Sequence, residues 1–189
     1  MKYVIVGMHG SGKKELFNML NDNNIKCGMI FANKEVEDPR YEVFSDEEIG
    51  ELFENKAYIF IKELDEFEKN VYEGITLYEY DTNDVFILSP DQFVSIPVQT
   101  FNEDICLIWL DDCKTARRQR YKDEQRKNDF SQRETYERRD IDEFVKTIYN
   151  NRVFHILYFT NEDIQRVSSI VEACVKYPDL VNIFEKTFK

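Results

Sequence analysis

The residues best suited to chemistry stand near the start of the sequence, in the segment Gly7-Met8-His9-Gly10-Ser11-Gly12-Lys13. Three of the six glycines of the chain lie in this segment. Glycine lets a loop wrap closely enough for successive backbone amides to point at one anion, and Lys13 adds a compact positive charge. The apolar residues 3–6 precede the segment and the helix-like residues 15–20 follow it, so a helix N-terminus adds the positive end of its dipole. We therefore predict a phosphate-binding loop; the simpler alternative is an ordinary glycine turn.

The spacing Gly7-x-x-x-x-Gly12-Lys13 matches the Walker A pattern, in which the lysine binds the β- and γ-phosphates of a nucleotide. We expect ATP phosphates to bind at Gly7, His9, Gly10, Ser11, Gly12, Lys13 and Lys14. The pattern normally ends in Ser or Thr, whose hydroxyl ligates Mg²⁺, but this chain has Lys14 there. A protonated lysine repels a metal ion. Mg²⁺ is the expected companion of ATP, yet the sequence identifies no metal ligand; Asp91 and Asp111 are candidates for organising it through water.

Composition indicates one domain of 189 residues with a substantial core, since 42% of the residues are hydrophobic and 14% aromatic. A net charge of −12 argues against non-specific binding to nucleic acid or to an anionic membrane. Against this acidic background, residues 114–139 contain ten Lys or Arg and five acids, which makes them a local cationic segment.

The four cysteines lack C-x-x-C spacing, so no zinc site or disulfide framework is expected. The chain begins directly with a strand-like run, and no apolar run approaches about 18 residues. We therefore expect a soluble, cytoplasmic protein. The sequence leaves open whether it is a monomer or a homodimer.

Hydrophobic patterning predicts strands at 2–6, 25–32, 57–64, 84–89, 104–110 and 153–159, and a short strand or turn at 71–75. It predicts helices at 13–21 and 46–54, two helices within 114–150 that break near 128–129, one from 161 and one over 178–188. Ser45, followed by three acids, is expected to be the N-cap of the second helix. Alternating strands and helices with continuously apolar strands indicate an α/β fold, three-layered, with a mainly parallel sheet. Such sheets place ligands at the carboxyl ends of their strands, where the glycine loop stands.

In this order, the segments resemble those of guanylate kinase, a P-loop nucleoside monophosphate kinase. The family begins with strand–GPSGSGKST–helix, and this chain has Val-Gly-Met-His-Gly-Ser-Gly-Lys-Lys-Glu-Leu at 6–16. Arg-Tyr-Glu-Val-Phe-Ser followed by acids at 40–48 is similar to its Tyr-x-Phe-x-Ser segment, and Tyr-Glu-Gly-Ile at 72–75 to its Tyr-Gly-Thr turn. The arginines of its lid are resembled by Arg117, Arg120, Arg126, Arg133, Arg138 and Arg139.

The resemblance implies a single domain of residues 1–189, with a core (1–32, 84–113 and 151–189), an acceptor-binding insert (about 33–80) and a helical, arginine-rich lid (about 114–150). It implies ATP-dependent phosphorylation of a nucleoside or deoxynucleoside monophosphate, with nucleotides as the binding partners. The expected catalytic residues are Lys13, Arg120, Arg126, Arg133 and Arg138. The expected substrate-binding residues are Arg40, Tyr41, Ser45, Tyr72 and Asp91.

This chain departs from the family pattern at Lys14, at Ser89 in place of an acid, and at Ile75 in place of Thr. The arginines before Tyr41 are reduced to Arg40. Two alternatives therefore stay open: a catalytically impaired binding module of the same fold, and a different P-loop kinase acting on a nucleoside or small metabolite.

Overall fold

The computed structural model describes residues 1–63, 71–97, 100, 105–111, 114–123, 140–148, 155–160 and 164–187. The strands in these ranges are β1 (Lys2–Gly7), β2 (Ile30–Ala32), β3 (Tyr41–Val43), β4 (Tyr58–Glu63), β5 (Tyr72–Thr76), β6 (Val85–Leu88), β7 (Ile105–Asp111) and β8 (His155–Thr160). The helices are α1 (Lys13–Asp22), α2 (Asp46–Asn55), α3 (Leu77–Thr82), α4 (Pro90–Ser95), α5 (Lys114–Asp123), α6 (residues 140–148), α7 (Ile164–Lys176) and α8 (Leu180–Thr187).

The main sheet is parallel and has the order β6-β1-β7-β8. β1 lies inside this sheet, paired with β6 on one side and with β7 on the other. Its residues from Tyr3 to Val6 are buried, as the uninterrupted apolar run predicts for a strand covered on both faces. The glycine segment follows the carboxyl end of β1 directly. The expectation of an α/β fold with a parallel sheet is thus confirmed.

Helices α1 and α7 cover one face of the main sheet. α1 buries Leu16, Phe17 and Leu20 in the core cluster of that face, which also takes in Val171 and Cys174 of α7. Burying an apolar side chain of this size stabilises the fold by roughly 1.5–3 kcal/mol. The predicted helix from 161 is thus present as α7, and the packing of α1 places its N-terminus next to the glycine segment.

The opposite face of the main sheet is covered by a second sheet and by α4 and α6. Phe93 of α4 and Phe144 of α6 pack edge to face, with ring centroids 5.1 Å apart. Phe144 also stacks on Trp109 of β7 at 5.0 Å. Residues 140–148, which the sequence analysis included in the lid, therefore pack on the core. The predicted helix break near 128–129 lies outside the described residues.

The second sheet has the order β3-β2-β5-β4 and mixes parallel and antiparallel pairs. Here the prediction of one core strand over 25–32 was wrong. Cys27 forms an isolated parallel bridge with Val85, and the amide of Gly28 donates to Val85 O over 2.8 Å, but β2 begins only at Ile30 and belongs to the second sheet. A Cβ on Gly28 would stand 2.1 Å from the ring of Phe86. The chain therefore crosses from one sheet to the other at a residue without a side chain.

Two short elements show where patterning succeeds and fails. Ser45 is the N-cap of α2 as expected, in a capping box in which its hydroxyl accepts from the amide of Glu48 over 3.2 Å. α3 was not predicted, because it contains no buried residue and so has no apolar periodicity. The feature that indicates α3 is its N-cap, where Thr76 Oγ1 accepts a hydrogen bond from the amide of Glu79 over 3.0 Å.

Within the described ranges, no helix combines the length and the apolar character needed to cross a bilayer.

Candidate phosphate-binding site

The glycine segment forms a tight loop between β1 and α1. Gly10 and Gly12 have φ angles of 77° and 88°, in the left-handed region that side chains disfavour. The amide of Ser11 donates to Met8 O over 3.1 Å and closes the turn. Gly12 is the N-cap of α1 and makes no side-chain capping hydrogen bond, so the helix begins directly at the glycine loop with the positive end of its dipole.

Lys13 folds back over the loop that precedes it. Its Nζ donates to Gly7 O over 2.6 Å and to Met8 O over 2.7 Å, and the residue is only 7% exposed. A buried ammonium held by carbonyl oxygens, next to amides at a helix N-terminus, is a suitable receptor for a phosphate group.

The first turn of α5 packs against the back of this loop. Arg117 is 4% exposed, and its Nη1 donates to His9 O over 3.3 Å. A Cβ on Gly10 would stand 3.2 Å from Arg117 O. Because α5 follows β7, and β7 pairs with β1, the start of α5 lies close to the glycine loop. Arg117 of the cationic segment therefore contacts this loop.

The ion pair of buried Arg40 with half-buried Asp38 lies near Lys13, whose charge acts on Asp38. Asp38 receives hydrogen bonds from Arg40, from Nε over 3.0 Å and from Nη2 over 2.8 Å, and Nη1 of Arg40 donates to Ile87 O over 3.1 Å. Burial alone would raise the pKa of Asp38, but the hydrogen bonds and charge of Arg40, with a further contribution from Lys13, hold it below its usual value. Arg40, predicted to grip an acceptor phosphate, therefore uses both terminal nitrogens and Nε within the protein.

Lys14 lies on the exposed side of the first turn of α1. Its Nζ donates to Glu37 O over 3.5 Å, the long end of the hydrogen-bond range. With Asp38 next to Lys13, this contact indicates that residues 37–40 run alongside the amino end of α1.

A second polar cluster connects the second sheet with α4. Lys62 and Glu73 face each other across β4 and β5 with 3.0 Å between Nζ and Oε1, and Lys62 also pairs with Asp91. Oε2 of Glu73 accepts from Tyr41 Oη over 2.8 Å and from Gln92 Nε2 over 2.9 Å. Glu73 is 1% exposed, so a carboxylate is buried here with a hydrogen-bond partner on each oxygen.

Contacts within this cluster shift the pKa values of Asp91, Lys62 and Tyr41. Burial alone would raise the pKa of Asp91, but the charge and hydrogen bond of Lys62 outweigh it and lower that pKa. Burial alone would lower the pKa of Lys62, but Glu73 and Asp91 raise it overall. Burial and then Glu73 raise the pKa of Tyr41. All three groups therefore keep their ordinary neutral-pH charge states.

The predicted substrate-binding residues fall into separate surroundings. Tyr41 and Asp91 belong to the Lys62–Glu73 cluster, whereas Arg40 is paired with Asp38. Tyr72 begins β5 and packs its ring on Phe53, with 5.9 Å between centroids. Ser45 caps α2.

The predicted catalytic arginines lie mostly beyond the described residues. Arg126, Arg133 and Arg138 fall within 124–139, outside the described ranges, and Arg120 is described only as part of the backbone of α5. Their roles, and those of the loop residues, stay predictions.

Sequence reasoning missed the partners in the second cluster: Lys62, Glu73 and Gln92. One signal could have indicated them, because a lone Lys in β4 and a lone Glu in β5 interrupt otherwise apolar strand faces. Arg117 was included among the lid arginines but not singled out. Its position directly after a strand that neighbours the loop was the available clue.

Comparison with known proteins adds evidence on the fold. The guanylate kinase from Anaplasma phagocytophilum has a similar solved structure, with a TM-score of 0.51 and 14% sequence identity over 93% of this chain and 84% of that chain. No protein-family model matches the sequence, and a search of curated proteins finds no significant relative. At this identity the likeness concerns the fold alone. It supports a guanylate-kinase-like arrangement of the core, while the insert and lid stay predictions.

Proposed function

We propose that this chain binds a nucleoside triphosphate at its glycine loop and transfers a phosphoryl group to a nucleoside or deoxynucleoside monophosphate. The observation that supports the proposal most is the loop itself. It follows an interior strand of a parallel sheet, has two left-handed glycines, and carries a buried lysine at the start of a helix.

Phosphoryl transfer mainly requires the protein to position the two substrates and to neutralise the negative charge of the phosphates. Lys13 and the amides at the start of α1 would hold the donor phosphates. The arginines of 114–139 would neutralise the transferring group, because forked guanidinium donors match phosphoryl oxygens. The acceptor would lie against the second sheet and α4, where Tyr41 and Asp91 stand with Lys62 and Glu73.

A coupled assay of ADP release tests the proposal. The purified protein is incubated with ATP and each monophosphate of guanosine, adenosine, cytidine, uridine and thymidine, in ribose and deoxyribose forms, with Mg²⁺ and separately with EDTA. We expect turnover with at least one acceptor and its loss in Lys13→Ala. Absence of turnover with every acceptor under both conditions would contradict the transfer reaction.

The second candidate is a nucleotide-binding module of the same fold without catalysis. Arg40 favours it, because Asp38 and Ile87 O occupy the guanidinium that was expected to hold the acceptor phosphate. ATP binding by calorimetry, without turnover in the assay above, would support this candidate over the kinase.

A further inference from the structure

We infer that the ammonium of Lys14 takes the place of the divalent cation at the loop, so that the chain binds a nucleoside di- or triphosphate without Mg²⁺. This inference rests on the nucleotide binding proposed above and specifies the ionic form of the ligand.

The side chains around the loop fit a resident Mg²⁺ poorly. Mg²⁺ requires oxygen ligands in near-octahedral geometry, and position 14 offers a cation where a hydroxyl would serve. Among the described residues, no group of three or more His, Cys, Asp or Glu is arranged to hold a metal ion.

Three of the described carboxylates near the loop already have donors. Asp38 is paired with Arg40 over 2.8 Å. At the carboxyl ends of the strands on either side of β1, Asp91 is paired with Lys62, and Asp111 accepts from Tyr158 Oη over 2.5 Å. Binding a metal through any of them, directly or through water, would compete with an existing charge-assisted or short hydrogen bond.

Lys14 is suited to supply the missing positive charge. It is the second residue of α1, next to Lys13, and its ammonium is exposed with a long contact of 3.5 Å to Glu37 O. Exchanging that contact for a phosphate oxygen costs little and forms a charge-assisted hydrogen bond. Two lysines and the N-terminus of the helix then face the phosphates together.

The same arrangement disfavours the magnesium complex of the nucleotide. Mg²⁺ on the phosphates would bring two positive charges towards Lys14 and would cancel part of the negative charge that both lysines attract. Affinity should therefore be highest for the metal-free nucleotide.

Isothermal titration of ADP and of ATP into the full chain tests this inference, once with EDTA and once with excess Mg²⁺. The wild type should bind in EDTA and should bind no more tightly with Mg²⁺. Lys14→Ala should bind about tenfold more weakly in EDTA, the scale of one hydrogen bond to a charged group. Lys14→Ser and Lys14→Thr should bind more tightly with Mg²⁺ than without it.

Lys26→Ala is the matched control, because Lys26 is an exposed lysine beyond the opposite end of α1 and its loss changes net charge equally. It should bind as the wild type does under both conditions. Thermal melts of all variants check that each is folded.

Wild-type binding that appears only with Mg²⁺, or a Lys14→Ala variant that binds as tightly as the wild type in EDTA, would overturn the inference and leave nucleotide binding intact. Absence of binding to ADP and ATP under both conditions would instead overturn the proposed function and this inference with it.

Discussion

The backbone of Arg117 lies directly against Gly10, so that a Cβ added to Gly10 would stand 3.2 Å from Arg117 O and 3.3 Å from Arg117 Cβ. Gly10 also has a φ of 77°, which strains any residue with a side chain. The conformation of the glycine loop and the position of α5 therefore depend on each other through the contact between the backbones of Gly10 and Arg117.

We predict that Gly10→Ala destabilises the protein by about 1–3 kcal/mol, because left-handed strain and crowding against α5 add together. The free energy of unfolding in urea measures this. Gly50→Ala in α2 is the matched control, since a Cβ there would meet nothing within 4 Å. It should be neutral or stabilising by up to about 1 kcal/mol. Equal effects of the two changes would contradict the assigned contact.

The pair Lys62–Glu73 should behave as a buried ion pair between β4 and β5. Glu73→Ala should destabilise the protein by about 3 kcal/mol, because it leaves Lys62, Tyr41 and Gln92 without their shared acceptor. The double change Lys62→Met with Glu73→Leu should cost less than the sum of Lys62→Met and Glu73→Leu made singly, since neither member of this pair is then left without the other. Asp91 loses its partner Lys62 in the single and in the double change alike, so that loss cancels from the comparison. Strict additivity in a double-mutant cycle, measured by urea unfolding, would show that the two side chains do not interact.

Asp38 should make stability depend on pH in the acid range. Its folded pKa is held below the unfolded value of about 3.9, so its contribution is fully present above that value and is lost as pH falls through the folded pKa. Asp38→Asn should therefore be less stable than the wild type by about 1–3 kcal/mol at pH 7. The difference should shrink as the pH falls below the unfolded value, because the protonated carboxyl no longer pairs with Arg40. A difference that stays constant over this range would contradict the pairing with Arg40.

Local signals in the sequence were sufficient to predict β1, α1 and the glycine loop between them. The continuous apolar run of β1 and the glycine spacing after it each reflect a requirement that a single segment meets alone. The capping box at Ser45 is likewise contained within four residues.

What the sequence could not predict depends on pairing between distant segments. Lys62 meets Glu73 only because of the register of β4 on β5, and register is set by turns and by burial that a single strand does not reveal. Asp38 and Arg40 stand two residues apart, but their joint position beside Lys13 depends on how the second sheet packs on the first. The position of β2 in the second sheet, and not in the main sheet, also involves distant segments. Gly28, just before β2, lies so close to the ring of Phe86 in β6 that no side chain fits between them.

Nucleotide affinity of Lys13→Ala tests the central claim, that the loop between β1 and α1 holds a nucleotide by its phosphates. The measurement is the rise in melting temperature with ADP or ATP, in EDTA and in Mg²⁺, for the wild type, for Lys13→Ala and for Lys26→Ala as the control. We predict that both nucleotides raise the melting temperature of the wild type and of the control, and that Lys13→Ala loses at least about tenfold in affinity. A wild type that does not respond to either nucleotide, or a Lys13→Ala variant that responds as strongly as the wild type, would contradict the claim.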